Sequence, residues 1–346
     1  MKAVVKYAYQ DRAVEVRDVP VPSCSPDQVL IKIAATGVCG SDIHMWHEHQ
    51  SWKIKIPVIL GHEFCGTIAE IGSNVSGFSV GQRVVIETAA TVCGTCIYCR
   101  TGNYNLCPER LGFGNLIDGA MTEYIAVRPQ IIHHLPDNVS FEHAAMVEPI
   151  CVASRTVVEV SSVKPGDLVV VQGAGAIGIL SMMMAKISGA GTLIVTGTDA
   201  DEHRLELARK IGAHYTVNVQ RDDPMELIRQ LGDGYGANLV VDCTGVSVAL
   251  KQAMEMVRPL GQITKVGWGP QPMNFSLDQL VQKAATLQTS FSHTYQTWER
   301  TLSLMKSGLL DLDLVLGGVY PIDDWEEGFH AMESGKNIKS VITTGN

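Results

Sequence analysis

The 346-residue sequence predicts an α/β protein with two domains, a strand-rich β-barrel and a doubly wound parallel sheet. Three observations support this fold class. The length suits two domains of roughly 150 residues each. The first half contains short strands that alternate apolar and polar residues between glycines. From about residue 165 onward, apolar strands alternate regularly with helical segments.

The first half of the chain has the sequence pattern of a β-barrel. Residues 28–33, 67–71 and 83–87 each alternate between apolar and polar side chains, and glycines at 72, 77 and 81 interrupt them. This period of two is typical of strands with one buried face, and frequent glycine turns are typical of barrels.

The texture changes near Pro165, where continuous apolar strands begin to alternate with helices. The predicted strands are 167–172, 192–196, 215–219, 237–242 and 261–266, and the predicted helices are 177–187, 202–211, 224–231 and 247–257. Strands that alternate with helices at this spacing predict a doubly wound parallel sheet. The composition places a domain boundary between about residues 150 and 165. The last 50 residues show no regular alternation of strands and helices.

The charge balance argues against nucleic-acid and membrane partners. The chain has 36 acidic and 27 basic residues, for a net charge of −9, so nothing attracts phosphate backbones or an anionic bilayer. Residues 168–185 carry no charge, but their glycines indicate a strand, a tight turn and a buried helix rather than a membrane span.

The N-terminus shows no secretion signal, because Asp11 precedes any long apolar run. We therefore expect a cytoplasmic protein. In that compartment the nine cysteines are expected to be free, metal-bound or catalytic rather than disulfide-bonded.

Four cysteines form the strongest local motif. Cys93, Cys96 and Cys99 are separated by two residues each, and Cys107 follows after seven more. Four thiolates can close a tetrahedron around Zn²⁺ and leave no open position, which predicts a structural zinc site. An iron–sulfur cluster is the alternative, because Cys107 precedes a proline and the first spacings suit a ferredoxin, but the last gap suits that cluster poorly.

The second motif is a glycine-rich turn. Gly173, Gly175, Ile177 and Gly178 belong to the sequence GAGAIG, which follows an apolar strand and opens a helix. In this context the motif predicts a dinucleotide-binding turn, with the phosphates at the helix N-terminus. Asp199 lies 21 positions after Gly178, where an acidic residue normally binds the ribose hydroxyls of NAD.

A third set of residues is dispersed along the first half. Cys39 lies in the segment CGSDIH and is followed, 23 positions later, by the pair His62–Glu63. Glu148 lies just before the expected boundary. A thiolate, an imidazole and a carboxylate are a reasonable set of ligands for a catalytic zinc with one open position.

Taken together, these motifs resemble the zinc-dependent medium-chain alcohol dehydrogenases in order and spacing, over essentially the whole chain. The sequence is most similar to the sorbitol (polyol) dehydrogenase branch, because Glu63 follows His62 and the segment 148–152 reads EPICV. L-Threonine 3-dehydrogenase is a close second, since it shares the Gly-His-Glu turn and a similar cysteine loop.

The resemblance implies a GroES-like catalytic domain of residues 1–155 and 290–346, and a Rossmann coenzyme domain of residues 156–289. It also implies an active site between the domains, two Zn²⁺ per chain, one catalytic and one structural, and a homodimer or homotetramer. The expected cofactor is NAD. NADP is the alternative. Alignment with polyol relatives places the position of the acidic ribose-binding residue on Gly197, and in that case Arg204 binds the 2′-phosphate of NADP.

The resemblance also implies roles for the site residues. Cys39 and His62 are the expected zinc ligands, with either Glu63 or Glu148 as the third; Glu148 alternatively holds the zinc-bound water and takes its proton. Ser41 and His44 match positions that pass a proton through the cofactor ribose, and imidazole suits this because it titrates near neutrality. His47 and His49 are expected to be surface histidines without a role.

The expected substrate is a small polar secondary alcohol, such as a polyol, a sugar alcohol or a sugar acid. Polyol relatives place an arginine near a Thr-Trp pair, where it binds substrate hydroxyls. The matching position here is His293, and an imidazole can hydrogen-bond fewer hydroxyls than a guanidinium. The other interpretations are L-threonine 3-dehydrogenase and, in a different class, a non-catalytic cofactor-binding or regulatory protein.

Overall fold

The computed structural model describes residues 1–345 and divides them into two compact units. The first unit is Met1–Glu148 together with the segment from Thr294 to the end of the described chain, and the second is Pro149–His293. These boundaries lie a few residues from 155 and 289. A helix, Val147–Ser154, crosses the first boundary, so a change of composition along the chain marks it only approximately.

Eighteen strands of the part of the chain that the structure describes make up the sheets. In chain order they are β1 (Lys2–Lys6), β2 (Val14–Asp18), β3 (Val29–Gly37), β4 (Val58–Ile59), β5 (Glu63–Ile71), β6 (Arg83–Ile86), β7 (Ala89–Thr91), β8 (Leu111–Gly112), β9 (Tyr124–Val127), β10 (Ile132–His134), β11 (Leu168–Gln172), β12 (Thr192–Gly197), β13 (Tyr215–Asn218), β14 (Ala237–Asp242), β15 (Val257–Lys265), β16 (Thr286–Thr289), β17 (Leu316–Pro321) and β18 (Lys339–Thr343).

Eleven α-helices of the described chain connect them. These are α1 (Gly40–Trp46), α2 (Ile97–Arg100), α3 (Phe141–Ala144), α4 (Val147–Ser154), α5 (Ala176–Ile187), α6 (Glu202–Ile211), α7 (Pro224–Gln230), α8 (Ser247–Met256), α9 (Asp278–Lys283), α10 (Tyr295–Lys306) and α11 (Trp325–Glu333).

The first unit is mostly antiparallel. Its large sheet has the order β10-β6-β5-β3-β18-β17, with β9 also paired to β3, and a smaller sheet has the order β2-β1-β4. The C-terminal strand β18 lies beside β3, so that Val341 pairs with Gly37, and Gly37 in turn pairs with Glu63 of β5. Strand β18 therefore lies beside the strands that lead to the predicted zinc ligands.

Two apolar clusters fill the first unit. One contains Trp46, Trp325 and Phe329, whose rings meet edge to face with centroids 5.0–5.7 Å apart. The other is built from the inward side chains of β3, β5 and β6, including Ile31 and Phe64. The first cluster anchors helix α1, because Trp46 is the last residue of that helix.

The second unit is a six-stranded, fully parallel sheet with the order β13-β12-β11-β14-β15-β16. The strand order reverses between β11 and β14. In open parallel sheets, ligands bind at the carboxyl ends of the strands beside such a reversal. The glycine turn follows β11 directly and therefore lies at this point.

The predicted elements of this unit are confirmed, with one informative difference. Helix 202–211 and strand 237–242 match to the residue. The strand predicted at 261–266 instead begins at Val257 and carries a register shift opposite residues 237–239. Pro259 and Gly261 lie in the bulge, and strand pairing continues on both sides of it.

The uncharged segment 168–185 forms strand β11, the glycine turn and most of helix α5, as predicted. Within residues 1–345, none of the helices combines the length and the apolar character that crossing a bilayer demands.

Candidate metal and cofactor sites

Cys39 is held at the N-terminus of helix α1. Its backbone N–H donates to Asp42 Oδ2 over 2.9 Å, and the backbone N–H of Gly61 donates to Asp42 Oδ1 over 3.3 Å. Asp42 is completely buried, so these bonds compensate a carboxylate that burial penalises. The buried carboxylate thereby ties the segment of Cys39 to the segment of His62.

Cys39, His62 and Glu63 converge on one point. One ligand atom from each of the three side chains lies within 4.8 Å of the others. Glu148 does not belong to this group, although it is buried in the same unit at 8 % exposure. The sequence left the choice between Glu63 and Glu148 open, and the geometry brings Glu63 to the other two.

The electrostatics of this group suit a divalent cation. Burial opposes a charge on the His62 ring, but the neighbouring Cys39, Asp42 and Glu148 raise the pKa of His62 to about 10. An imidazole stabilised this strongly in its charged form lies in a region of excess negative charge. The mixed sulfur, nitrogen and oxygen donors are those that zinc binds in catalytic sites, so the group fits the metal.

Lys339 is a site residue that the sequence analysis missed. Its side chain is buried in the first unit, pairs with Glu63, and donates from Nζ to the carbonyl oxygen of Val38 over 2.6 Å. Burial disfavours the ammonium form, but the carboxylate of Glu63 and the thiol of Cys39 keep the pKa of Lys339 above its ordinary value. Lys339 is the first residue of strand β18, whose sequence KSVIT also contains a serine and a threonine, so no local pattern marks it as a site residue.

Arg110 supplies a second cation beside the acidic residues. It follows the cysteine loop and donates from Nη2 to Thr88 Oγ1 over 2.9 Å. Burial lowers the pKa of Arg110, and the nearby carboxylates of Glu148 and Glu87 oppose that shift. The guanidinium of Arg110 therefore lies in the electrostatic surroundings of Glu148.

The four predicted cysteines of the loop lie together. Their sulfur atoms form one group within 4.8 Å, and the Sγ atom of Cys93 lies 3.6 Å from that of Cys107 and 3.9 Å from that of Cys99. A Zn–S bond of about 2.3 Å gives sulfur separations of roughly 3.8 Å in a tetrahedron. The loop thus has the dimensions of a closed zinc site.

Backbone amides prepare this loop for metal. The N–H of Cys96 donates to Cys93 Sγ over 3.3 Å, and the N–H of Cys93 donates to Cys107 Sγ over 3.4 Å. The amides of Cys96 and Thr95 lower the pKa of Cys93 to about 6, so this sulfur is largely a thiolate at neutral pH.

The loop is anchored by a buried polar chain. Tyr104, between the last two cysteines, donates its hydroxyl to both oxygens of Glu87 over 2.7–2.9 Å. Glu87 Oε1 lies 2.9 Å from His133 Nε2, and His133 Nδ1 lies 2.6 Å from Glu299 Oε1. The His133 ring stacks on Trp298 at 5.4 Å. The chain joins the loop to helix α10.

The glycine turn has the geometry of a dinucleotide site. Gly173 has φ +92°, which disfavours any side chain, and a Cβ on Gly178 would collide with the carbonyl of Gly173. Around Gly175, the N-cap of helix α5, a Cβ would point into open space. Ile177 lies in the first turn of this helix, where N–H groups without an intrahelical partner bind phosphate, and the residues therefore fit a bound pyrophosphate.

The predicted ribose-binding residues are engaged with other groups. Asp199 accepts from Asn218 Nδ2 over 2.7 Å and pairs with Arg221 Nε at 2.7 Å, while Arg204 Nη1 lies 3.5 Å from Asp201 Oδ1. Strand β12 ends at Gly197, so Asp199 lies in the turn that follows. Sequence reasoning missed Arg221, because it comes from the next strand–helix connection.

Ser41 and His44 both lie on helix α1, two and five residues after Cys39. Partial burial lowers the pKa of His44, and His49 and His47 lower it further. The expectation for His47 is wrong: its side chain is only 13 % exposed and contacts two carboxylates. His293 is the last residue of the second unit and is buried.

Comparison with known families agrees with this geometry. Residues 25–137 match the family described as alcohol dehydrogenase GroES-like domain, and residues 176–307 match the family described as zinc-binding dehydrogenase. The chain belongs to the zinc-dependent medium-chain alcohol dehydrogenase superfamily. It is an oxidoreductase that acts on CH–OH groups with zinc and a nicotinamide dinucleotide as cofactors.

Among curated relatives, a sorbitol dehydrogenase from Halalkalibacterium halodurans is 40 % identical over 99 % of both chains. A D-arabitol-phosphate dehydrogenase from Enterococcus avium is 36 % identical over 99 % of this chain and 97 % of its own. An L-threonine 3-dehydrogenase from Pyrococcus horikoshii is also 36 % identical, over 95 % of this chain and 94 % of its own.

Solved structures have the same architecture. A zinc-binding dehydrogenase from Sinorhizobium meliloti 1021 bound to NADP has a TM-score of 0.90, 27 % identity, and covers 99 % of this chain and 98 % of its own. A dehydrogenase from Escherichia coli CFT073 in complex with NADH also has a TM-score of 0.90, at 24 % identity with 99 % of both chains covered, and shows the shared fold.

A cysteine substitution is expected to lower thermal stability at one candidate metal site and turnover at the other. We expect Cys93→Ser to lower the melting temperature strongly, because a closed zinc site stabilises its fold by roughly 10 kcal/mol of apparent binding energy. We expect Cys39→Ser to leave the melting temperature nearly unchanged while it abolishes turnover. Metal analysis should find two zinc ions per wild-type chain and one in each variant.

Cys24→Ser is the matched control, because Cys24 is a partly exposed cysteine outside both groups. Its zinc content and melting temperature should equal those of the wild type. A single zinc per wild-type chain, or iron with the visible absorbance of a cluster, would contradict the assignment.

Proposed function

We propose that this chain oxidises a small polar secondary alcohol, namely a polyol, a sugar alcohol or a sugar acid, to the ketone, with transfer of a hydride to NAD. The observation that carries the proposal is the convergence of Cys39, His62 and Glu63 in an acidic, buried environment. Such a donor set leaves one position for the substrate hydroxyl.

In this proposal Cys39, His62 and Glu63 hold the catalytic zinc. When bound, zinc is a Lewis acid that acidifies a coordinated hydroxyl, as it lowers the pKa of water from about 16 toward 7. The protein residues fix where that hydroxyl lies. Asp42 and Lys339 orient the ligand segments, the first through backbone amides and the second through the carbonyl of Val38.

The proton that leaves the hydroxyl is taken by Ser41 and His44. Ser41 lies in the first turn of helix α1 and passes the proton through its hydroxyl. His44 accepts it, because a lowered pKa leaves its ring neutral at pH 7. The exposed ring then releases the proton to solvent.

Glu148 is proposed to orient the reacting hydroxyl rather than to bind metal permanently. It lies outside the three-residue group but within electrostatic reach of His62, Lys339 and Arg110. Carboxyl oxygens accept hydrogen bonds from hydroxyl groups, which is the role proposed here for Glu148.

The polar substrate class is supported by the relatives and by the charged surroundings of the donor set. The sorbitol and D-arabitol-phosphate dehydrogenases are 40 % and 36 % identical to this chain over nearly its whole length. His293 is proposed as a substrate-binding residue. Because imidazole offers fewer donors than guanidinium, it favours a shorter substrate than sorbitol.

L-Threonine oxidation is the second candidate. The L-threonine 3-dehydrogenase of Pyrococcus horikoshii is as similar to this chain as the D-arabitol-phosphate enzyme, at 36 % identity. Its substrate is also a secondary alcohol, so the same zinc group and proton relay serve both candidates.

A substrate panel tests the proposal directly. The panel contains sorbitol, xylitol, galactitol, D-arabitol phosphate, sugar acids, L-threonine, ethanol and 2-butanol. We expect kcat/KM to be largest for a polyol or a sugar acid, because polar groups of the site form hydrogen bonds with substrate hydroxyls. The loss of one hydrogen bond to a charged group costs about 1.5–3 kcal/mol, or roughly 10- to 150-fold in kcat/KM.

Two outcomes of the panel count against the proposal. If simple alcohols exceed every polyhydroxy compound, the polar-substrate class is wrong. If L-threonine leads by a factor of ten or more, the second candidate is correct.

The proton relay makes turnover dependent on pH. Since the neutral ring of His44 is the acceptor and its pKa is below the ordinary value, kcat/KM for oxidation should fall as the pH drops through that pKa and be constant above it. We expect His44→Gln to lose this acid limb and about a hundredfold in kcat. Added imidazole should restore part of the rate. Wild-type kcat in the variant would exclude His44 from the relay.

Coenzyme preference depends on the turn after strand β12. We expect a preference for NAD, with Asp199 binding the ribose hydroxyls in competition with Arg221. Asp199→Ala should lower kcat/KM for NAD about tenfold, by the loss of a charge-assisted hydrogen bond, and improve NADP. Glu206→Gln, on the exposed face of helix α6, is the control. A wild-type preference for NADP would instead assign Arg204 and Gly197 as the determinants.

A further inference from the structure

We propose that Arg128 is a positioning residue of the structural zinc site: its guanidinium holds the strand that leads into the cysteine loop and thereby slows the release of zinc from the four thiolates. This role rests on the assignment of the loop to zinc and does not depend on the substrate. All the side chains involved belong to the first unit.

The cysteine loop is closed by a short pair of strands. Strand β7 ends at Thr91, two residues before Cys93, and strand β8 begins at Leu111, four residues after Cys107. The two strands form a separate sheet with an irregular register. An isolated two-stranded sheet has little stability in water, so the base of the loop needs further support.

Arg128 supplies this support from the large sheet. It follows directly on strand β9, which pairs with β3. Its Nη2 atom donates to the carbonyl oxygen of Ala89 over 3.0 Å, and its Nε atom donates to the carbonyl oxygen of Ala90 over 3.2 Å. Both alanines are buried, and a buried carbonyl without a partner is costly. The planar guanidinium therefore satisfies two acceptors of strand β7 at once.

The position of the first cysteine depends on this contact. Cys93 follows strand β7 closely, and its Sγ atom lies 3.6 Å from that of Cys107 on the other side of the loop. A zinc site tolerates ligands only within about 0.2 Å of the ordinary Zn–S distance. A strand β7 that moves away from Arg128 would carry Cys93 out of this range, so the guanidinium keeps the four sulfur atoms together.

The charge of Arg128 also suits a metal bound by thiolates. Burial lowers the pKa of Arg128, and the nearby Glu87 and Cys99 oppose that shift. A guanidinium remains charged under such a penalty. Zinc bound to four thiolates carries a net negative charge, and a cation within electrostatic reach of one of them stabilises the bound form.

The other polar contacts of this corner have a different function. Tyr104 donates to Glu87, and Arg110 donates to Thr88 Oγ1. Both donors lie between β7 and β8, so their bonds join the loop to the residues just before strand β7. Arg128 comes from outside the loop, and its bonds join strand β7 itself to the large sheet.

Two substitutions separate the hydrogen bonds of Arg128 from its charge. Arg128→Met removes every donor and keeps an apolar stem, and Arg128→Lys keeps a cation without the planar fork. Arg83→Met is the matched control. Arg83 also donates to backbone carbonyl oxygens, but these belong to residues 136–139 and not to the base of the cysteine loop.

The loop zinc is measured separately from the catalytic zinc. All variants are made in the full chain with Cys39→Ser, in which the remaining zinc is expected in the cysteine loop. The readouts are the rate of zinc release to an excess of a chromogenic chelator and the melting temperature.

We expect Arg128→Met to release zinc about 10- to 100-fold faster than its Cys39→Ser parent, the range typical of residues that hold metal ligands in place. Arg128→Lys should release zinc at an intermediate rate. Arg83→Met should lower the melting temperature but release zinc within about threefold of the parent, because it supports no ligand.

Parent-like zinc release from Arg128→Met would overturn the proposed role. Equal acceleration in Arg83→Met would also overturn it, since that result assigns the effect to a general loss of stability. If Arg128→Met does not fold, Arg128→Lys decides by the same comparison with the parent. A Cys39→Ser parent without zinc would overturn the role together with the zinc assignment, whereas the substrate panel bears only on the proposed function.

Discussion

The buried ion pair between Lys339 and Glu63 constrains the metal-binding part of the first unit. A lysine and a glutamate without solvent are tolerated only if each finds its partner and its remaining bonds. Lys339 meets this condition by pairing with Glu63 and by donating to the carbonyl of Val38, the residue before Cys39. Because strand β18 brings it to strand β3, this strand from the C-terminal part of the chain helps to position two candidate ligands, Cys39 and Glu63.

The Lys339–Glu63 pair also contributes to the charge balance of the region around His62. Asp42, Glu63 and Glu148 are buried carboxyl groups near the His62 ring, and burial raises the pKa of Asp42 and of Glu63, so their charged forms need cations nearby. Lys339 supplies one such charge, and a divalent metal on the thiolate, imidazole and carboxylate would supply the rest.

The cysteine loop is connected to the rest of the unit by hydrogen bonds rather than by apolar packing. Cys93 and Cys99 are only half buried, and Ile97 at its tip is 65 % exposed. Tyr104, Glu87 and His133 form the connection, and the aromatic face of Trp298 covers it. A loop with so little core depends on its metal and on this chain of polar contacts for a defined position.

The sequence by itself determined the local features of this protein. The four-cysteine spacing, the strand–glycine–helix turn at Gly173 and the alternation of strands and helices each depend on neighbours in the chain, and the structure has them where they were predicted. Only the tertiary structure brings Glu63, rather than Glu148, into one group with Cys39 and His62, and only the tertiary structure places Lys339 beside Glu63. These outcomes depend on contacts between residues far apart in sequence, which sheet register and helix packing set and no local pattern records.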